Sequence, residues 1–440
     1  MRHDDTIFAL SSGGLPSGVA VVRLSGPHAG HALKQLTGSI PEPRYAALET
    51  IRSRNGDILD RGLILFFPGP YSFTGEDCAE LHVHGGPAVV RAVLEALSQI
   101  PELRSADAGE FSRRAFHNSK LDLVELEGLA DLIAAETEMQ RRLAAEQAVG
   151  GQSRIYNAWS DRLTHARAMI EAELDFADED DVPDSVASMI WNDMRRLQAE
   201  ILAHVETART GEIIRDGLKI VIAGPPNAGK SSLINFLTKR DIAIVTDIPG
   251  TTRDVLTVDL NLDGYAVRLF DTAGLRQTEE PVEREGISRA RLAIAEADLV
   301  LLLTEASTRC SSDFVAGYEG PVIRVGTKGD LGAAWRDGEV DTVVSTRTGE
   351  GIGELLDRIK AHLPVIGSHQ ALSFPSRIRH KECLLSAADA ISRALAAGHI
   401  GLDIQAEHLR AASRSLERIT GKVDVENLLD VIFSEFCIGK

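Results

Sequence analysis

The segment GPPNAGKS at residues 224–231 has the residue types and spacing of a phosphate-binding loop. It fits the pattern G-x-x-x-x-G-K-S, follows the apolar run KIVIAG and precedes a helical pattern, which is the context this motif requires. Backbone N–H groups would cradle phosphates, Lys230 would reach the β- and γ-phosphates, and Ser231 would bind Mg²⁺. The residues predicted to contact a nucleotide here are Asn227, Ala228, Gly229, Lys230, Ser231 and Ser232.

Three later motifs specify which nucleotide is bound. DTAG (271–274) follows a predicted strand, TKGD (327–330) resembles the guanine-reading pattern N-K-x-D, and STRTGEG (345–351) suits a loop that closes over the base. Asp330 can accept two hydrogen bonds from guanine, worth about 1.5–3 kcal/mol each. Thr327 stands where asparagine is usual, and it cannot offer the amide of that residue. The motif order predicts a GTPase that binds through Asp271, Thr272, Ala273, Gly274, Thr327, Lys328, Asp330, Ser345, Thr346 and Arg347.

Hydrolysis needs a group that orients water and a positive charge that stabilises the transition state. Leu275 follows Gly274, and leucine can do neither. The segment TDIPGTTRD (246–254) is polar and contains glycine, which suits a loop that wraps a cation with carbonyl groups. Asn227 lies in the phosphate-binding loop, where its side-chain oxygen can be another ligand. The sequence therefore predicts a second cation near the phosphates.

The elements that must position these motifs differ along the chain. Residues 1–118 contain short β-branched runs bounded by glycine and a helical pattern after Pro87, which indicates an α+β domain. Residues 119–215 and 371–440 are predominantly helical, with a predicted capping box at Ser119 and Asp122. Residues 216–370 alternate strand-like and helix-like runs, as in a parallel sheet covered by helices. We predict a multidomain α/β protein with a Ras-like G domain inserted into a helical domain formed from two chain segments.

Composition restricts the class of protein. The chain has 440 residues, a formal net charge of −18 and four cysteines without a C-x-x-C pair. This charge argues against a protein that coats itself in nucleic acid, and the cysteine pattern favours a reducing compartment. The acidic stretch 171–184 is interpreted as a solvated loop or as a docking site for a basic partner. With no signal peptide and no run of 18 apolar residues, we expect a cytoplasmic protein without a membrane segment.

The segments GPPNAGKSSLIN, TDIPGTTRD, DTAGLR and FCIGK together resemble the MnmE (TrmE) family of tRNA-modification GTPases. YSFTGEDCAELHVHGGP (71–87) and GEFSRRAFHNSKLDLVELEGLADLI (109–133) extend the resemblance over the whole chain. The resemblance implies K⁺ binding by Asn227, Thr246, Ile248 and Thr251, Mg²⁺ binding by Ser231 and Thr252, and a water-orienting role for Glu283. It implies nucleotide contacts along the loop Thr246, Asp247, Ile248, Pro249, Gly250, Thr251 and Thr252. Pro225, Pro249 and Thr327 depart from the family pattern.

The same resemblance implies a folate site in the N-terminal domain. Arg23, Glu80, Lys120 and Lys440 match positions that contact a tetrahydrofolate derivative, 5-formyl- or methylene-tetrahydrofolate. A carboxylate can pair with the donor–acceptor edge of a pterin, and cations can meet the carboxylates of the folate tail. Cys437 is not in a prenylation motif, because Gly439 and Lys440 end the chain unsuitably; a reactive thiol and a packing role both stay open.

The resemblance also implies partners and an overall activity. The implied partners are a second copy of the chain, which dimerises through the N-terminal domain, an FAD-dependent MnmG/GidA-type enzyme in a hetero-oligomer, and tRNA. Arg113 and Arg114 form a basic cluster for which a tRNA contact and a dimer contact are both open. The implied reaction forms 5-carboxymethylaminomethyluridine at the tRNA wobble position. The alternative hypothesis is a GTPase switch, such as one acting in ribosome assembly, without modification chemistry.

Overall fold

The computed structural model describes residues 5–175, 184–240, 242–244, 257–271, 292–305, 312–332, 335, 338–367, 370–399, 401–423, 429 and 439. The chain forms two compact units: Met1–Ala130, Ser153–Ala168 and Arg410–Lys440 make the first, and Asp131–Gln152 and Met169–Leu409 make the second. The division at residues 118, 215 and 370 stays a prediction. Within the described residues, no helix combines the length and apolar character needed to cross a bilayer.

The first unit contains a six-stranded mixed sheet with the strand order β3-β4-β5-β2-β1-β6. Val22, Leu24, Leu81 and Val83 point to the face that is buried with two helices. Since side chains alternate along a strand, Arg23 lies on the opposite face, where the register pairs it with Glu80. The elements are β1 (Thr6–Leu10), β2 (Ser17–Ser25), α1 (Ala29–Thr37), β3 (Ala47–Arg52), β4 (Ile58–Phe67), β5 (Cys78–Gly85), α2 (Pro87–Ser98) and β6 (Leu103–Ser105).

The described helices agree with the predominantly helical character predicted for residues 119–215 and 371–440, but not with the predicted capping box. The predicted capping box at Ser119 is wrong, because Ser119 has φ +53°. The reciprocal bonds instead join Asp122 and Glu125, at 2.8 and 2.9 Å. The helices are α3 (Glu110–His117), α4 (Leu123–Ala134), α5 (Glu138–Ala148), α6 (Gly151–Asp175), α7 (Asp184–Glu206) and α8 (Ala208–Asp216), followed later by α11 (Ile378–Ala396) and α12 (Leu402–Thr420).

The acidic stretch 171–184 is only partly helical as described. Helix α6 continues to Asp175, so the beginning of the stretch is helix and not loop. Residues 176–183 lie outside the described residues. The choice between a solvated loop and a docking site therefore stays open.

The second unit contains a six-stranded sheet with the order β12-β11-β10-β7-β9-β8, in which only β8 runs antiparallel to its neighbour. This order and direction confirm the predicted Ras-like fold. Residues of α5, α8, α9 and α10 pack in one buried cluster with its strands. The elements are β7 (Leu218–Ala223), α9 (Lys230–Thr238), β8 (Thr257–Leu262), β9 (Tyr265–Asp271), β10 (Leu299–Glu305), β11 (Val322–Thr327), β12 (Thr342–Val343) and α10 (Ile352–Lys360).

Helix α5 packs directly on the hairpin formed by β8 and β9. The Met139 N–H donates to the Gly264 carbonyl at the hairpin turn, at 3.0 Å. Met139 and Leu143 belong to the same buried cluster as Leu262 and Val267. A capping box at Thr137 starts α5 and separates it from α4. The hairpin is thereby fixed to a helix that precedes the G domain in sequence.

Candidate nucleotide site and N-terminal cavity

The phosphate-binding loop connects the end of β7 to the start of α9. Gly224 has φ +144°, and a Cβ there would overlap the Leu303 carbonyl oxygen of the neighbouring strand β10. Gly229, with φ +88°, precedes the first residue of α9. Only glycine fits both demands without strain. The exposed Asn227 also has positive φ, +65°, in the turn between these glycines.

Lys230 is the first residue of α9 and is 8% exposed. Its ammonium donates to the carbonyl oxygens of Gly224 and Pro225, both at 2.8 Å. The loop is thus wrapped around the ammonium, which lies beside the amino end of the helix. An anionic phosphate is favoured at this position by the ammonium and by the N–H groups at the amino end of the helix.

Ser231, a predicted Mg²⁺ ligand, contacts Asp271, a predicted nucleotide contact. The Ser231 hydroxyl donates to Asp271 Oδ2 at 3.2 Å. Asp271 ends β9 and is 1% exposed. Mg²⁺ prefers hard oxygen ligands and usually uses one or two from the protein, with waters and phosphate oxygens completing its shell. These two oxygens fit that requirement.

The base-reading motif brings Asp330 and Ser345 together. The Ser345 hydroxyl donates to Asp330 Oδ1 at 2.8 Å and accepts from the N–H of Arg347 and of Thr348, at 3.3 and 3.2 Å. Arg347 Nε lies 3.4 Å from Asp330 Oδ2, but its side chain is 81% exposed. The Asp330 carboxylate is therefore oriented before any base arrives. An ordered carboxylate loses less conformational freedom on binding.

Thr327 is integrated into this site in a way the sequence did not reveal. Its hydroxyl donates to the Thr304 carbonyl on β10 at 3.2 Å. A Cβ placed on Gly229 would lie 3.7 Å from Thr327 Cβ, so the threonine also borders the phosphate-binding loop. The neighbouring Lys328, in the left-handed conformation with φ +59°, donates to Glu305 Oε2 at 2.7 Å. Thr304 and Glu305 were missed, and only the strand register could have identified them.

Of the other predicted nucleotide residues, Ala228 is buried, whereas Ser232 is exposed and Thr346 is half-buried. The remaining predicted residues of both sites lie outside the described residues: Thr246, Asp247, Ile248, Pro249, Gly250, Thr251, Thr252, Thr272, Ala273, Gly274, Glu283, Cys437 and Lys440.

A cavity of about 230 Å³ lies on the Arg23 face of the N-terminal sheet. Arg23 Nε and Nη2 both donate to Glu80 Oε1, at 3.1 and 3.0 Å. The Arg23 guanidinium lies 5.3 Å from the centroid of the Phe73 ring. Lys120 does not line the cavity; its ammonium donates to the Pro70 carbonyl at 3.0 Å. The lining residues are Arg23, Arg44, Phe67, Tyr71, Ser72, Phe73, Cys78 and Glu80.

Arg114 lies on helix α3 and is 8% exposed. It is bonded to Asp5 Oδ1 at 2.8 Å, Glu76 Oε2 at 3.0 Å and Glu110 Oε1 at 3.1 Å. Burial lowers the pKa of Arg114, but these carboxylates outweigh it and raise the pKa overall. Burial likewise raises the pKa of Glu110, yet hydrogen bonds from Arg104, Asp107 N–H and Arg114 hold it below its usual range. The interpretation of Arg114 as a tRNA or dimer contact is wrong, since its guanidinium is enclosed.

The C-terminal tail returns to this unit at Gly439. The Ser11 hydroxyl donates to the Gly439 carbonyl at 2.8 Å. Gly439 has φ +99°, and a Cβ there would overlap the Leu10 carbonyl oxygen. Leu10 ends β1, which pairs with the strand carrying Arg23. A side chain at position 439 is therefore excluded by both the backbone conformation and the close approach.

Comparisons with known proteins match the chain over its whole length. A family model described as the MnmE helical domain matches residues 123–437, and one described as the GTP-binding protein TrmE N-terminus matches residues 6–120. Among curated relatives, the tRNA modification GTPase MnmE of Rhizobium meliloti (strain 1021) is 62% identical over 441 residues, with 100% of each chain covered. The protein of the same name from Sinorhizobium medicae (strain WSM419) is 63% identical over 442 residues, also with 100% of each chain covered.

One solved structure illustrates the similarity of the G domain. The G domain of the T. maritima FeoB iron transporter is 27% identical, covers 33% of this chain and 99% of its own, and has a TM-score of 0.27. This TM-score is too low to add to the fold assignment, which rests on the strand order and direction.

Proposed function

The chain belongs to the MnmE family of tRNA-modification GTPases, and from that premise we propose how its two sites work together. It is a GTP hydrolase that acts in tRNA modification, and its G domain takes GTP with Mg²⁺. We propose that hydrolysis depends on K⁺ and that, with an FAD-dependent MnmG/GidA-type partner, the protein forms 5-carboxymethylaminomethyluridine at the wobble position. A tetrahydrofolate derivative would supply the one-carbon unit. The observation that carries this proposal is full-length family membership combined with two sites of different chemistry in one chain.

At the G domain, each described residue has a separate task. Lys230 binds the β- and γ-phosphates, Ser231 and Asp271 hold Mg²⁺, and Asp330 accepts from the guanine edge. Bound Mg²⁺ neutralises charge that develops on the phosphates. Asn227 is exposed in the phosphate-binding loop, so its side-chain oxygen is available to a cation. We propose Thr246, Ile248 and Thr251 as the further K⁺ ligands, Thr252 as a Mg²⁺ ligand and Glu283 as the water-orienting residue.

At the N-terminal cavity, the lining suits a flat heteroaromatic ring with a charged tail. Phe67, Tyr71 and Phe73 offer aromatic surface, and Glu80 offers a carboxylate for the donor edge of a pterin. Arg23, held by Glu80, and Arg44 bring positive charge for the carboxylates of folate. Lys120, Cys437 and Lys440 are proposed contributors from the cavity edge and the tail. The bond between Ser11 and Gly439 supports the tail assignment, because it brings the chain end to the strand beside Arg23.

We propose that the contact of α5 with the β8–β9 hairpin transmits the nucleotide state to the helices. The hairpin lies between residues 246–254 and the DTAG motif, the two segments expected to contact the γ-phosphate. A shift of either segment would pull on the hairpin turn, which the Met139 N–H binds. We further propose a cytoplasmic homodimer that binds the flavoprotein in a hetero-oligomer. In it, the two G domains would open and close, and this motion would reach the N-terminal domain through the helices.

Mass spectrometry of tRNA nucleosides tests the modification reaction. A strain lacking the gene, complemented with this chain, should regain 5-carboxymethylaminomethyluridine derivatives at the wobble position. Complementation with Lys230→Ala should leave the position unmodified, and Arg23→Ala should lower the level of modification, because the first removes the phosphate-binding ammonium and the second weakens the proposed folate site. Restored modification with either variant would contradict the proposed cooperation of the sites.

Steady-state kinetics in different salts tests the cation proposal. Replacing Na⁺ by K⁺ should raise the GTPase rate strongly, because K⁺ would supply the positive charge that Leu275 cannot. Glu283→Ala should keep nucleotide affinity and lose turnover. Equal rates in the two salts would reject K⁺ dependence, and retained turnover in Glu283→Ala would reject the role of that residue.

A further inference from the structure

The carboxyl end of strand β10 fastens the first two residues of the base-reading motif. Thr304 and Glu305 are the last residues of β10, and the parallel register places Glu305 opposite Thr327. The Thr304 carbonyl accepts from the Thr327 hydroxyl at 3.2 Å, and Glu305 Oε2 accepts from Lys328 Nζ at 2.7 Å. One strand end thus holds a side chain of each of two successive motif residues.

Lys328 directly follows β11, and the contact with Glu305 fixes the position of its side chain. It stands where β11 turns away in the left-handed conformation, and its side chain is 40% exposed. A lysine side chain loses much rotamer freedom when it is ordered. The Glu305 carboxylate, whose side chain is 27% exposed, sets one position for the ammonium in the absence of nucleotide.

We propose that Glu305 is a positioning residue for guanine-nucleotide recognition. It orders Lys328 before the nucleotide arrives, so that Thr327, Lys328 and Asp330 present one preformed surface to the base and ribose. Asp330 is ordered separately by Ser345, so the two devices are independent. Preorganisation lowers the entropic cost of binding without adding a contact to the phosphates.

This role predicts a specific kinetic pattern. Since Glu305 acts on the base end of the site, its loss should raise the dissociation constants of GTP and GDP by a similar factor. The turnover number at saturating GTP should not change. Because Asp330 reads the 2-amino group, a misplaced Asp330 would affect GTP more than ITP, whereas loss of Lys328 ordering should affect both equally.

The test is nucleotide binding and GTPase kinetics of the full-length chain with Glu305→Gln, Glu305→Asp and Glu305→Lys. For a partly exposed ion pair we expect Glu305→Gln to weaken GDP and GTP binding by about two- to fivefold. Glu305→Lys should weaken it further by repulsion, and Glu305→Asp should retain part of the affinity. On a Lys328→Ala background, Glu305→Gln should have no further effect.

Glu354→Gln is the matched control, because Glu354 also pairs with a cation, Arg358 at 2.9 Å, on helix α10 of the same unit. It should leave nucleotide affinity unchanged. Unaltered or tighter GDP binding in Glu305→Gln would overturn the proposal, as would a fall in turnover number at constant KM. If Glu305→Gln fails to fold, Glu305→Asp and the Lys328→Ala background decide by the same criteria.

Discussion

The nucleotide site and the N-terminal cavity hold their charged residues in different ways. In the nucleotide site, Lys230 donates to two backbone carbonyls and Asp330 accepts from a serine hydroxyl. In the cavity, Arg23 and Glu80 are paired with each other. A charged ligand group that binds in the nucleotide site therefore meets side chains whose described hydrogen-bond partners include neutral groups. A ligand that enters the second must compete with an ion pair or bind the pair as a unit.

The different partners of these charged side chains indicate which residues contribute most to ligand binding in each site. A charge supported by neutral groups keeps most of its field for the ligand, so single residues should dominate nucleotide binding. A charge paired with its opposite shares its field, and removing either partner alters the other. Substitutions of Lys230 and Asp330 should therefore have large separate effects, whereas those of Arg23 and Glu80 should be smaller and strongly coupled.

The largest effect is expected from Lys230→Ala. It removes the ammonium that we propose binds the β- and γ-phosphates, and we expect kcat/KM for GTP to fall by at least about 100-fold. Lys239→Ala, at an exposed lysine just after α9, is the matched control and should retain activity. GTPase assays over a range of GTP concentrations measure both variants. A loss below tenfold for Lys230→Ala would show that the loop backbone alone suffices.

Asp330→Asn should change which base is preferred. The amide loses the two charge-assisted hydrogen bonds to guanine, so GDP affinity should fall by about 100-fold. Xanthosine diphosphate, which presents a carbonyl where guanine has an amino group, should gain affinity. Competition binding with both nucleotides measures the change, and Asp357→Asn, with an exposed side chain, is the control. Unchanged preference for guanine would contradict base reading by Asp330.

A double-mutant cycle at Arg23 and Glu80 tests the cavity side of the comparison. Arg23→Ala and Glu80→Gln should each weaken binding of 5-formyltetrahydrofolate by about tenfold, since each removes the ion pair between the two residues. The double variant should be little worse than either single one. Calorimetry on the full-length chain measures the affinities, with Arg61→Ala on the exposed side of β4 as control. Additive losses would show that the two residues act separately and not as a unit.

Local motifs made the nucleotide site predictable, because the chemistry of phosphate binding fixes residue types at short spacing. The structure brings Ser231 to Asp271 and places Lys230 at the phosphate-binding loop, and the alternating strand and helix patterns predicted a parallel sheet, from which only β8 departs. Residues that act across strands were not predictable in this way. Glu305 meets Lys328 only through the register of β10 and β11, and no local pattern encodes that pairing.

Polar residues near helix ends and in cores were the other source of error. Ser119 and Asp122 have the spacing of a capping box, but Asp122 and Glu125 have the same spacing. Because Ser119 has a positive φ, the capping box forms between Asp122 and Glu125. Arg114 is read as a surface cation because arginine is rarely enclosed. Its burial depends on Asp5 and Glu76, which are distant in sequence, so only the tertiary structure reveals it.

The network around Arg114 gives the smallest predicted effect, and it tests whether Glu110 stabilises the N-terminal unit by its charge or by packing. Glu110 is 5% exposed, and its pKa lies below the ordinary value of 4.5. A carboxyl group whose pKa is lower in the folded state stabilises the fold above the unfolded pKa, and this stability is lost as the pH falls through the folded pKa. Glu110→Gln should therefore destabilise the chain at pH 7, by about 1 kcal/mol or a few degrees of melting temperature.

Thermal unfolding of the full-length chain between pH 7 and pH 3 measures this dependence. The difference between the wild-type chain and Glu110→Gln should shrink below pH 4.5, because protonation removes the wild-type charge as well. Glu138→Gln should show a much smaller change, because hydrogen bonding to Arg141 also lowers the pKa of Glu138 but this pair is exposed to solvent. A difference that persists at low pH would mean that Glu110 stabilises the domain by shape and packing. In that case the ion pairs of Arg114 would not stabilise the N-terminal unit, and the contrast with the nucleotide site would depend on Arg23 and Glu80 alone.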